Sequence, residues 1–280
     1  MGTYVWDGEQ LIQREHAVVD IEDRGYTFGD GIYEVFRIYD GQIFAESLHW
    51  ERFFRSALAI RLQLPWTAEQ LSHGVHNLIR ANTLKEGIVY LQTTRGVSPR
   101  NHSFPSEQVR PALIAFTKTL LRPIEQMDRG ERIITHPDER WLRCDIKSLN
   151  LLPNVIAKQA ASEVAAFEAV LHRDEIITEG SSSNIAIVKN GCIMTHPANH
   201  LILHGITRAL VIQLANQQRI QLKEEAFTVN DLVQADEAFL MSTTSEIMPI
   251  IQVNEQIIGC GIPGPLTRTL QSAWALLLPL

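Results

Sequence analysis

The chain has 280 residues, 45% hydrophobic and 20% charged, a globular balance that supports a packed core and argues against wholesale disorder. A net charge of -7 without a basic tract argues against nucleic acid or an anionic membrane as the main partner. Three widely spaced cysteines, Cys144, Cys192 and Cys260, give no disulfide framework and no metal-ligand spacing, so no metal is expected. The count fits a reducing cytoplasm, the expected location. The start MGTYVWDGEQ has no basic or apolar stretch of a signal peptide and no Ser or Thr at position six for myristoylation. No apolar run reaches the ~20 residues of a membrane helix.

In chain order, TYVWDGEQLIQ predicts a hairpin around Asp7-Gly8, and EVFRIYDGQIFA a second around Asp40-Gly41. Residues 47–61 carry apolar side chains at helical spacing. Thr67 opens another helix, with Glu69 and Gln70 in its first turn. GIVYLQTTRGV and ALIAFTKTLL read as strands, and LLRPIEQMDRG as a connection. RIITHP then begins a new pattern, followed by an Ala-rich helix over NVIAKQAASEVAAFEA. Strands AVLHR, EIITEG, NIAIVKNG and CIMTHP come next. A helix follows over 206–219, then a short one over VNDLVQA, strands EAFLMST and MPIIQVNEQII, and a last helix PLTRTLQSAWALLL. The reading is a mixed α/β chain: a small α/β domain over 1–120, a linker over 121–125, and a larger strand-rich domain over 126–280.

The chemistry centres on DIKSLNLLP, where Lys147 stands beside an apolar cluster. Such a lysine is either a snorkelling side chain or a partly desolvated amine able to form a Schiff base. A pyridoxal 5′-phosphate (PLP) enzyme also needs an acid opposite the pyridine nitrogen and a phosphate anchor. In TEGSSSN, Glu179 ends a strand before three serines, which reads as that acid or as a polar turn. LHGITR opens a helix whose N–H groups, with Thr207, suit a phosphate, or it is ordinary helix initiation. The turn STTSE offers Thr243 and Thr244, or is a solvated loop. On the first long helix, near His49 and Glu51, Arg52 can fork onto a phosphate, though an exposed Arg there is commonplace.

The order HWERF, RGVSPRNHSFP, WLRCDIKSLNLLPNVIAKQ, TEGSSSN, HGITR, STTSEI resembles the D-amino-acid transaminases of the fold-type IV PLP enzymes, over nearly the whole length. The Arg-x-His pair in RGVSPRNHSFP is typical of that branch, whereas the lysine and EGSSSN segments suit the group as a whole. The resemblance implies that Lys147 carries PLP and moves the substrate α-proton, and that Glu179 partners the pyridine nitrogen. It implies that Arg52, Ile206, Thr207 and Thr243 hold the phosphate and that Leu203 packs on the ring, with Ser182 and Ser183 nearby. Tyr33, Arg100 and His102 would bind the substrate α-carboxylate, with Thr244 also on the substrate side. In relatives the Arg100–His102 loop comes from the partner subunit, which implies a homodimer. D-amino acids and 2-oxo acids would be the substrates, D-alanine and 2-oxoglutarate giving pyruvate and D-glutamate. The same fold also carries branched-chain L-amino-acid and (R)-amine transaminases and aminodeoxychorismate lyases, which remain alternatives. Arg37 and Asn101, where the chain departs from the pattern, are expected to tune side-chain preference. Cys144 is expected to be a small structural hydrophobe.

Overall fold

A computed structural model describes residues 2–279. The chain divides into two compact units. The first runs to Leu121 and takes back Ile146–Asn150; the second comprises Arg122–Asp145 and Leu151–Leu278.

The first unit is a six-stranded antiparallel sheet with helices against it. Its strands are β1 (Tyr4–Trp6), β2 (Leu11–Gln13), β3 (Gly31–Tyr39), β4 (Gln42–Ile43), β5 (Gly87–Thr94) and β6 (Ala112–Thr119), in the order β2-β1-β6-β5-β3-β4. Both expected hairpins form. A short α1 (Arg24–Phe28), not foreseen, is capped by the Asp23 carboxylate, which accepts from Gly25 N. The two long helices are α2 (Glu46–Ala59) and α3 (Ala68–Ala81). Thr67 and Gln70 form a reciprocal capping box at the start of α3, which satisfies two backbone donors and fixes where the helix begins. Phe36, Ile38, Trp50, Phe53, Leu71, Val75 and Leu78 interlock as the core. Burying a side chain such as Phe53 completely contributes about 2 kcal/mol.

The lysine segment, which the sequence pattern places in the second domain, packs in the first unit instead. Ile146 joins the first core, and Ser148 bridges Ile32 in antiparallel fashion. Tyr33 N donates to Lys147 O at 3.0 Å, and Leu149 N to Gly31 O at 3.1 Å. A Cβ on Gly31 would lie 2.5 Å from Thr93 O of β5, a backbone atom that cannot give way, and 2.7 Å from Leu149 Cδ1, so glycine is required where this segment and β5 both approach.

The second unit holds α4 (Ile124–Arg129), β7 (Glu131–Pro137), α5 (Leu152–Glu163), β8 (Glu168–Arg173), β9 (Ile176–Gly180), β10 (Asn184–Lys189), β11 (Cys192–Thr195), α6 (Ile206–Gln217), β12 (Gln221–Glu224), α7 (Val229–Val233), β13 (Glu237–Ser242), β14 (Glu246–Val253), β15 (Gln256–Ile257) and α8 (Pro265–Ala275). Eight of its strands run β12-β11-β10-β13-β14-β7-β8-β9, and β15 pairs β14. Although β9 and β10 are far apart in that order, a three-residue turn joins them and they touch, so the sheet curls round on itself. Ile133, Val170, Ile177, Ile185, Leu240 and Met248 fill it. The Ala-rich helix starts and stops earlier than its periodicity predicts. Pro153 suits its first turn, and Ala165 turns left-handed at φ 54 because Phe167 N must reach Arg132 O.

Candidate active site

In the first unit, β3 alternates, and Glu34 falls on the face shared by Ile32 and Phe36. A carboxylate there must be compensated. Arg52, from α2, donates Nε to Glu34 Oε2 at 3.0 Å and Nη2 to Oε1 at 2.6 Å. His49, one turn earlier, places Nδ1 3.0 Å from Oε1. Burial alone would raise the Glu34 pKa, but the Arg52 charge and the hydrogen bonds from Arg52 and His49 overcome it and hold the group well below the usual carboxylate range. Burial lowers the His49 pKa, against the pull of Glu34. Arg52 is therefore not the exposed helix arginine its amphipathic setting suggests. It is 4% exposed.

Tyr33, on the opposite face of β3, is half-buried and stacks on Tyr90 with ring centroids 5.6 Å apart. The Lys147 ammonium lies 4.2 Å from the Tyr33 ring centroid, while its backbone N donates to Ser56 Oγ at 3.3 Å. Lysine and tyrosine are thus brought together by the pairing of their own backbones. Arg100 and His102 are exposed and gather round Phe28, the guanidinium 4.9 Å from the ring and the imidazole 5.2 Å from it. Asn101 O accepts from Arg24 at 2.6 Å, which pins the loop between them. Arg37 is 1% exposed and donates to Leu120 O and Glu86.

In the second unit, Glu179 is 4% exposed and receives donors on both oxygens. Arg140 Nη1 is 2.5 Å from Oε1, Asn184 Nδ2 is 2.9 Å from Oε2, and Leu203 N is 3.0 Å from each. Burial pushes the Glu179 pKa up to about 7, opposed by the Arg140 charge and the Leu203 N–H. Arg140 is itself gripped by Asp138, which accepts from its Nε and Nη2 at 2.8 Å, and by Thr178. Asn184 also donates to Leu203 O, so one amide ties the carboxylate to the approach of α6. Gly205 keeps that approach open: a Cβ there would collide with Asn184 Oδ1.

Ile206 and Thr207 are buried at the start of α6, whose first turn has no capping side chain, leaving N–H groups available to an anion. The serine turn is organised by Glu168, which accepts from Ser182 N at 2.7 Å and Ser183 Oγ at 2.9 Å. Ser182 itself is exposed. Thr243 is half-buried and Thr244 exposed, in the loop joining β13 to β14. Cys144 is buried with its Sγ against Trp141 O, and burial pushes its thiol up to about 11, consistent with a structural residue. Sequence reasoning missed Glu34, Arg140 and Asn184. Glu34 carried a signal, a charge on the apolar face of a strand. HPDERW and the strand-opening asparagine carried none.

The family model for amino-transferase class IV matches residues 31–253. The chain belongs to the class IV aminotransferases. Among curated relatives, the D-alanine aminotransferase of Staphylococcus haemolyticus is 47% identical over 272 residues, covering 97% of this chain and 96% of that protein. The D-alanine aminotransferase of Bacillus licheniformis is 46% identical over 264 residues, covering 94% and 93%. Among solved structures, the branched-chain amino acid aminotransferase of Escherichia coli gives a TM-score of 0.92 at 23% identity over 99% of this chain and 95% of that one, which shows the fold. A T.th. branched-chain amino acid aminotransferase, solved with pyridoxamine 5′-phosphate, gives 0.89 at 23% identity, covering 98% and 93%.

This class IV chain carries the donor types such a coenzyme takes: a half-buried primary amine in the first unit, and in the second a buried carboxylate, an uncapped helix start and the hydroxyls of Thr207 and Thr243. Among the described residues, no helix is long and apolar enough to cross a membrane.

Proposed function

We propose that this class IV aminotransferase binds PLP and transfers the amino group of D-amino acids, D-alanine and 2-oxoglutarate giving pyruvate and D-glutamate, with tolerance for other D-amino acids. The observation that carries the substrate class is the 47% identity, over 97% of the chain, to a D-alanine aminotransferase. When bound, PLP supplies the electron sink that receives the pair released as the substrate Cα–H bond breaks.

The chain's own groups supply the rest. Lys147 anchors the coenzyme, and its amine, once freed and unprotonated, takes the α-proton and returns it. Glu179 accepts from the pyridine N–H; Asn184 and Leu203 N keep its carboxylate aimed while Arg140 favours its ionised form. Arg52, the N–H groups of Ile206 and Thr207, and Thr243 hold the phosphate, with Glu34 keeping the Arg52 guanidinium in one orientation. Leu203 packs on the ring, and Ser182 and Ser183 lie beside it. Tyr33, Arg100 and His102 converge as donors on the substrate carboxylate, with Thr244 also on the substrate side.

The exposure of Arg100 and His102 supports their service to a second copy, and with it a homodimer. The strongly exposed Val18, Val19 and Ile21 support a covered face. A cytoplasmic location completes the reading, supported by three unpaired cysteines.

Borohydride reduction with PLP, followed by peptide mass spectrometry, is expected to place the label on Lys147; a label elsewhere, or none, refutes the reading. Pyruvate is expected from D-alanine with 2-oxoglutarate and not from L-alanine. Turnover of only L-leucine or (R)-1-phenylethylamine selects the branched-chain or amine alternative. Pyruvate release from aminodeoxychorismate without an amino acceptor selects the lyase.

A further inference from the structure

The hairpin of β13 and β14 closes with Ser242 opposite Glu246 and three residues, Thr243, Thr244 and Ser245, between them. The residue that follows this loop and opens the second strand lies in the left-handed region, a conformation ordinarily given to glycine or asparagine. Here the residue is Glu246, at φ 55. An L-residue with a long side chain resists that conformation, so something must hold it.

The Glu246 carboxylate is buried, 3% exposed, and the Arg122 guanidinium forks onto it, Nε to Oε1 and Nη2 to Oε2, both at 2.7 Å. Arg122 precedes Pro123, which restricts its backbone and makes it a stiff mount. Inside the loop, Ser245 N donates to Ser242 Oγ at 3.1 Å, and the two hydroxyl oxygens are 2.5 Å apart. The serines are spent on the turn itself, and no side-chain hydrogen bond of Thr243 forms among the described residues.

We infer that Arg122 and Glu246 are positioning residues for coenzyme retention: their two-pronged ion pair holds the left-handed backbone that presents Thr243 to the PLP phosphate. The inference rests on the assignment of Thr243 to the phosphate under Proposed function. It adds that a pair taking no part in the chemistry sets how tightly the phosphate is kept.

The test compares wild type, Arg122→Gln, Arg122→Lys and the double variant Arg122→Gln/Glu246→Gly. PLP affinity is measured by absorbance titration of the coenzyme-free chain, kcat at saturating PLP, and amide hydrogen exchange over 243–246 without PLP. Arg122→Gln is expected to raise the PLP Kd about tenfold, the size of a left-handed penalty left unopposed. Its kcat is expected within about twofold of wild type, and turn amides to exchange faster. Arg122→Lys, a cation without a fork, falls between. Glycine at 246 needs no clamp, so the double variant is expected to return to within about threefold of wild type. PLP uptake by Arg122→Gln equal to wild type, or a double variant no better than Arg122→Gln, overturns the inference alone. A wild-type chain that takes up no PLP overturns the functional reading and this inference together.

Discussion

The Glu34–Arg52–His49 cluster makes a quantitative prediction through Glu34→Gln. The carboxylate is wholly buried and accepts three hydrogen bonds at 2.6 to 3.0 Å, two of them from Arg52. Glutamine keeps the shape but turns an NH2 group toward a donor and leaves Arg52 uncompensated in the interior. Breaking a buried pair on one side costs about 3–5 kcal/mol. At roughly 2–4 °C per kcal/mol for a chain of this size class, the Tm of the coenzyme-free protein falls by about 6–20 °C. PLP stabilises any chain that binds it by mass action. If Arg52 holds the phosphate, the dianion also replaces the lost carboxylate, so PLP raises the Tm of Glu34→Gln by more than it raises that of wild type. Thermal denaturation by circular dichroism, with and without PLP, reads both quantities. A coenzyme-free Tm within about 2 °C of wild type refutes the charge-compensation argument, and an equal PLP increment removes Arg52 from the phosphate site.

Burial lowers the His49 pKa, so the folded chain favours the neutral ring. That contribution is complete above the unfolded value near 6.5 and is lost as pH falls through and below it. His49→Gln is therefore expected to flatten the drop in Tm between pH 7.5 and 5.5, and an unchanged drop refutes this. Gly205→Ala pushes Asn184 from its bridge between Glu179 and Leu203, because the new Cβ would collide with its oxygen. PLP affinity is expected to fall about tenfold, as for one lost buried hydrogen bond to a charge, and titration of the coenzyme-free variant checks it. Alkylation at pH 8 followed by mass spectrometry should label exposed Cys260 first and leave Cys144 unmodified in the folded chain, its thiol pushed up to about 11 by burial. Early labelling of Cys144 contradicts that.

Much of the fold was legible because local rules and tertiary packing agree. The capping box at Thr67 and the Asp-Gly hairpins need only neighbours in sequence. Where distant partners decide, the sequence pattern fell short. The Ala-rich helix stops at Glu163 although alanines continue, because Phe167 must reach β7. Arg24–Phe28 carries no periodic signal and is helical through the Asp23 cap. The β12 strand, Gln221–Glu224, is polar and exposed along most of its length, so alternation could not reveal it; its parallel pairing with β11 does. Among the candidate site residues, Lys147, Glu179 and Arg52 stood out by residue type and order. Their supports did not: Arg140 serves Glu179 from 39 positions away, and Glu34 serves Arg52 from a strand read only for its alternation.

The return of Ile146–Asn150 to the first unit bears on how such a chain can be taken apart. A gene fragment ending at Leu121 would encode the strands and helices that cradle the lysine but not the lysine. The complementary fragment would encode the lysine without the β3 backbone that orients it. Neither half could be inherited alone as a working module, so insertions, permutations and chimaeras of this architecture are constrained to keep both stretches on one polypeptide or to supply the pentapeptide separately.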